Sequence, residues 1–229
     1  MDSCWTRESP QPGWRTRRGL LWGPVRRDLG DLNRWFLELA LWPEHATDPR
    51  FDLPSTVRDR LAELDPQGLS LAADCPFALF ELHPRLQALP ASARVADQAD
   101  TRARHLEPGT PAGEAFAFGQ QALAFLAQLI DSAPHAARLA FGLPSGSERS
   151  LAELTPSRRA MLASSPGLVR PRWSAHPRFW PALVDAVAIG SATGLQWVHW
   201  LGLCLPGSML SDRSCPRGGE PLPSRKPRG

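Results

Sequence analysis

The sequence predicts a mainly α-helical fold built from two similar helical half-domains between basic, disordered tails. Three observations carry that reading. Apolar residues recur at three- and four-residue steps in several segments, proline, glycine and capping residues break those segments, and the chain matches itself at an offset of about 90 residues. At 229 residues, 42% hydrophobic and 21% charged, the chain suits one compact domain or two small helical ones.

Residues 1–27 are rich in Pro, Gly, Ser and Arg, lack a sustained apolar period, and read as a basic flexible tail. From Asp28 a helical pattern runs through Leu29, Leu32, Trp35, Phe36 and Leu39 until Trp42-Pro43 stops it. Ser55 is placed to cap a short helix carrying Val57, Leu61 and Leu64. Asp65-Pro66 reads as an N-cap followed by proline at the first helical position, opening another short helix that Cys75-Pro76 ends. The apolar run 77–82 suits a strand or buried extended segment as well as a helical turn, and its length does not decide between them. Together, 28–89 form the first helical unit.

Residues 90–113 read as a polar linker ending in Glu107-Pro108-Gly109-Thr110-Pro111. A second long helix starts at Glu114 and carries Phe116, Leu123, Leu126, Leu129 and Ile130. Ala133-Pro134 closes it, and a shorter helix from His135 to Phe141 has Gly142 as its C′ residue. The second unit spans 114–210 and ends in apolar helices, and 211–229 form the second basic tail.

The self-match is densest between 53–76 and 143–166, where 10 of 24 aligned positions are identical. Leu53-Pro54-Ser55 meets Leu143-Pro144-Ser145, Leu61-Ala62-Glu63-Leu64 meets Leu151-Ala152-Glu153-Leu154, and Pro66, Ala73 and Pro76 meet Pro156, Ala163 and Pro166. His45 falls opposite His135, and His83-Pro84-Arg85 matches His176-Pro177-Arg178 after a three-residue insertion. The repeated unit is a long amphipathic helix, a loop, and two short capped helices. Duplication of this kind implies architecture and no activity by itself.

Charge is uneven along the chain. The formal +3 resolves into +4 for residues 1–27, +3 for 211–229 and −4 for 28–210, so the basic character belongs to the ends. Basic tails of this composition attract phosphate backbones or acidic membrane surfaces without specificity.

Several chemistries lack their residues. The single lysine, Lys226, lies in the tail, so no phosphate-binding loop is present. The four cysteines form no C-x-x-C pair, and Cys75 reads as a small buried residue. The six histidines form no H-x-x-x-H pair, and no metal or cofactor is implied. With no secretory signal pattern, the expected setting is cytoplasmic. The uncharged run 186–205 is the only candidate membrane segment. Its Ser191, Thr193, Gln196 and His199 favour a buried helix or helix pair, with Gly190 and Gly194 allowing a break or close packing.

The densest unusual stretch is Val169 to Trp180, where arginines alternate with aromatics. Arg170, Arg172, Trp173, His176, Arg178 and Trp180 are the candidate partner-binding residues, because Trp buries large area and Arg makes forked hydrogen bonds. The competing reading makes Trp173, Phe179 and Trp180 core anchors with solvated arginines beside them. The function expected is a protein-binding adaptor, chaperone-like or regulatory factor without catalysis of its own. One alternative is a helical nucleic-acid-associated regulator using the basic tails. The other is a small enzyme with a site between the halves, drawing on His83, His176 and nearby carboxylates.

Overall fold

A computed structural model describes residues 23–46, 48–82, 107–144, 146–165, 167–174 and 176–205. It is mainly helical, with nine α-helices and a two-stranded sheet among those residues. Helix α1 (Gly23–Leu41) begins five residues before Asp28. Pro24 is tolerated there because first-turn amides have no intrahelical partner. Arg26 fixes the turn by donating to both carboxylate oxygens of Asp74.

Helices α2 (Ser55–Ala62) and α3 (Pro66–Ala73) follow and pack on α1. Ser55 is the first residue of α2 rather than its cap: Pro54 takes the N-cap position, and no side chain bonds the first amides. Asp65 caps α3 as its sequence implies, accepting from the Gly68 amide at 2.6 Å ahead of Pro66. The run 77–82 resolves into an extended segment that ends in strand β1 (Phe80–Leu82).

A second long helix, α4 (Pro111–Ser132), starts three residues before Glu114, because Thr110 accepts from the Gly113 amide and Pro111 occupies N1. It carries α5 (Pro134–Phe141), α6 (Ser147–Ala152) and α7 (Pro156–Ala163). Gly142 is left-handed at φ 64° and terminates α5; Thr155 caps α7. Strand β2 (Val169–Pro171) pairs antiparallel with β1, setting Phe80 opposite Pro171, Glu81 opposite Arg170 and Leu82 opposite Val169. Finally α8 (Phe179–Ala188) returns across α2 and α3, and α9 (Ala192–Cys204) folds back on α8.

The 186–205 run is thus a helix pair broken at Gly190, whose φ of 66° only glycine adopts readily. Gly194 packs closely, since a Cβ there would lie 3.1 Å from that of Ala186. No helix among the described residues is long and apolar enough to cross a membrane.

The core is continuous across the strand pair. Phe36 of α1, Phe118 of α4 and Phe80 of β1 meet with ring centroids 4.9 to 6.1 Å apart, and Phe51 and Phe141 flank them. Asn33 is the polar pin of this core. Fully buried, it donates to the carbonyls of Ala73 and Phe77 and accepts from the Leu79 amide at 2.8 Å. It thereby satisfies two backbone groups of the extended segment, at Phe77 and Leu79, and ties them to the end of α3 at Ala73.

Candidate functional site

The Arg/aromatic stretch turns the chain from β2 into α8, and the fold divides its residues between inside and outside. Alternation along β2 buries Val169 and Pro171 and exposes Arg170. Arg172 follows, 3% exposed, with its amide donating to the Leu79 carbonyl. Its Nη1 donates to the Ala140 carbonyl at 2.7 Å, placing a cation at the C-terminal end of α5. The guanidinium stacks over the Trp173 ring at 4.3 Å.

Burial lowers the Arg172 pKa to about 10 against the opposing pull of Glu81, so the group stays charged at neutral pH. The fit is tight: a Cβ on Gly142 would come 2.6 Å from Nη2 of Arg172.

Trp173 is wholly buried and sits at φ 57°, the one described non-glycine residue in the left-handed region. That geometry costs energy and persists because the surroundings hold it. Its ring lies 4.9 Å from Phe77 and 4.1 Å from Phe179, and Trp180 donates from Nε1 to the Arg172 carbonyl at 2.8 Å. The turn closes through the His176 amide, which donates to the Trp173 carbonyl.

Of the six candidate residues, Arg172, Trp173 and Trp180 are therefore packed inside, where they shape the turn. Arg170 and Arg178 are exposed, and His176 is half-buried between them. Neither Arg170 nor Arg178 makes an ion pair among the described residues, whereas Arg26, Arg34, Arg50, Arg60 and Arg138 each do. His83 lies outside the described residues, so its juxtaposition with His176 is not described. Glu81 is buried opposite Arg170.

One titratable cluster escaped the sequence reading. His45 is 1% exposed, with Nδ1 3.5 Å from Oδ2 of Asp48, and Arg50 grips the same carboxylate at 2.6 Å. Burial holds the His45 pKa below its ordinary value, outweighing the Asp48 carboxylate that raises it. For Asp48, burial pushes upward, yet hydrogen bonds from the Arg50 side chain and amide leave its pKa lowered. The available signal was H-x-x-D-x-R across a loop, three residue types that pair at short range. Here the imidazole is enclosed by the Trp42 and Phe51 rings, which makes the cluster a loop anchor.

Among the described residues, open grooves carry polar groups at two places. The larger, about 510 Å³, runs between α4, α6 and α7 past Gln128, Asp131 and Arg159; the smaller, about 380 Å³, lies between α1 and α3 beside Arg27, Arg34 and Ser70. Among the described residues no three His, Cys, Asp or Glu side chains converge as metal ligands. Cys75 is fully buried, its thiol pKa pushed up by burial, and its Sγ lies 3.4 Å from the Ala72 carbonyl, an arrangement that suits packing and not nucleophilic attack. The chain matches no family model, no curated protein and no solved structure.

Proposed function

We propose that the chain is a protein-binding adaptor or regulatory factor without catalysis of its own, meeting an acidic partner surface through Arg170 and Arg178 with His176 between them. The observation that carries this reading is how one short stretch is divided. Its aromatics and Arg172 lock a left-handed turn inside the core, while Arg170 and Arg178 project from that rigid turn without an ion pair among the described residues. Fixing the backbone beforehand lowers the entropy lost when a guanidinium forks onto a carboxylate.

The proposal includes two similar half-domains. It is supported by α3 and α7, whose bounds lie 90 residues apart and which both begin with proline behind a capping side chain. Further support comes from burial at both positions of the pairs Phe51/Phe141, Leu53/Leu143, Leu61/Leu151 and Ala73/Ala163. A cytoplasmic setting belongs to the same reading and agrees with a buried free thiol at Cys75.

The test is affinity capture with the full chain from lysate of its source cell, beside Arg170→Glu/Arg178→Glu shown to keep its melting temperature. The expected result is a defined protein, retained after nuclease treatment and reduced about tenfold or more by the charge reversals. Retention that disappears with nuclease would move the reading to a nucleic-acid-associated regulator. Retention unchanged by the reversals would remove Arg170 and Arg178 from the contact surface.

A further inference from the structure

The groove between α4, α6 and α7 is walled by small and apolar side chains, with Ala124 and Ala127 on α4 and Leu154 in the turn before α7. Gln128, Asp131 and Arg159 are among its polar groups. Arg159 is half-buried, its Nε is closed to solvent without a hydrogen-bond acceptor, and its guanidinium makes no ion pair among the described residues. Arg58 and Arg172 share the orphaned Nε, but their amino groups donate to backbone carbonyls, at Ala46 and Phe51 for Arg58 and at Ala140 for Arg172. A desolvated donor left without an acceptor costs free energy that an incoming acceptor returns. Asp131 is exposed in the same groove and likewise has no ion pair or hydrogen bond among the described residues. One groove thus presents a cation and an anion that pair neither with each other nor with a described neighbour.

Helix packing keeps the two charges apart. Ala163, the last residue of α7, lies against the middle of α4, since a Cβ on Gly119 would come 3.3 Å from its Cα. Arg159, one turn earlier, lines the groove with residues 124–132, so α7 runs antiparallel along α4. Stepping back that turn, about 6 Å, brings Arg159 level with the Ala124 end of the groove. Asp131 stands about 10 Å farther along α4, with Gln128 between. An extended chain rises about 3.3–3.6 Å per residue, so about three residues match that span.

We propose that this groove binds a short peptide with both ends free, its terminal carboxylate held by Arg159, its terminal ammonium by Asp131 and a backbone amide by Gln128. A guanidinium matches a carboxylate in a forked pair, which supplies the acceptor that Arg159 lacks. Asp131 selects against ligands of purely negative charge, phosphate among them, and its own complement is a cation. The Gln128 side chain carries both a donor and an acceptor, as a peptide bond does. Alanines at 124 and 127 keep the wall low, leaving room for an aliphatic side chain to rest on it. The volume, about 510 Å³, lies in the ordinary range of ligand sites and exceeds what a single amino acid fills.

The test is calorimetric titration of the full chain with the tripeptide Ala-Leu-Ala, with the same peptide acetylated at its amine or amidated at its carboxyl, with free leucine and with inorganic phosphate. Ala-Leu-Ala is expected to bind with a dissociation constant of about 1 mM or below, and each blocked form about tenfold more weakly or worse. Arg159→Gln is expected to lose the preference for the free carboxylate and keep that for the free amine, and Asp131→Asn to do the reverse. A role in folding alone would not produce that crossed pattern, and the blocked peptides test the parent chain without any variant. The proposal is overturned by no binding of Ala-Leu-Ala, by equal binding of its blocked forms, or by preferences that the two variants leave unchanged. Phosphate binding more tightly than the peptide also overturns it, making Arg159 a simple anion site. Free leucine binding as tightly overturns it too, because the two charges would then serve a single amino acid.

Discussion

Helices α8 and α9 are neighbours in an apolar stretch of sequence, yet the fold treats them differently. α8 buries Phe179, Trp180, Leu183, Val184, Ala186 and Val187 and contacts α2, α3 and α9. α9 rests on α8 and the Phe77 segment, burying only Val198 and Gly202 and leaving Trp197 49% and Trp200 62% exposed. Mean apolarity is similar in the two, so composition does not decide burial; what decides is whether another element of the chain comes to cover the surface. The same residue type then has opposite roles: Trp180 holds the fold together, and Trp200 is available to something outside it.

The sharpest way to break this comparison is to truncate one tryptophan from each helix. Trp180→Ala removes a fully buried ring and its hydrogen bond to the Arg172 carbonyl, for an expected loss of about 3–5 kcal/mol. Trp200→Ala removes a ring that is mostly in water, and is expected to change stability by no more than about 0.5 kcal/mol. Urea denaturation of both variants beside the parent checks the pair. Comparable losses would mean that α9 is packed much as α8 is, and would undo the contrast.

How much of this was legible in sequence follows from the range of the interactions involved. Local ones read well. Asp65-Pro66 and Gly142 announced helix ends because caps and left-handed turns are settled within a few residues of chain. Ser55 misled because a serine can stand at the cap or one place inside it, and Pro54 took the cap. Burial did not read. Asn33 looks like a surface residue of an amphipathic helix, and its role as a pin depends on carbonyls about 40 residues later. Within the Arg/aromatic stretch, alternation identified an unusual segment, but only the arrival of α5 and β1 decides that Arg172 goes inward while Arg170 stays out.

A second, smaller effect sharpens the buried side of the comparison. Gly142→Ala combines a left-handed backbone with a methyl placed against Nη2 of Arg172. Arg172 can yield only by shifting a buried guanidinium whose Nη1 holds the Ala140 carbonyl. The expected cost is about 2 kcal/mol, read as a lowered denaturation midpoint with an unchanged slope. A loss of only a few tenths would show that the guanidinium has room to move, and that the turn carrying Arg170 and Arg178 is less rigid than its contacts imply.

The smallest effect tests how loosely α9 is held. His199 faces inward beside Phe77 with Nε2 buried and without a hydrogen-bond partner among the described residues, and its pKa lies below the ordinary histidine value, chiefly from burial and then from Arg26, with Asp74 opposing. A histidine whose folded pKa is depressed contributes stability that is fully present above the unfolded value near 6.5 and is lost as pH falls toward the folded value. Acidification from about pH 7.5 to about 5 is therefore expected to speed amide exchange in α9, after correction for intrinsic rates, more than in α8. His45 is also depressed, but it anchors the loop after α1 and acts on the fold as a whole. His199→Leu isolates the local part: it puts a non-titrating apolar side chain on the inner face and is expected to remove the acid response of α9 while leaving that of α8. If α9 in the variant still loosens with acid, its hold on Phe77 is set by other groups, and the acid response of α9 has a cause other than His199.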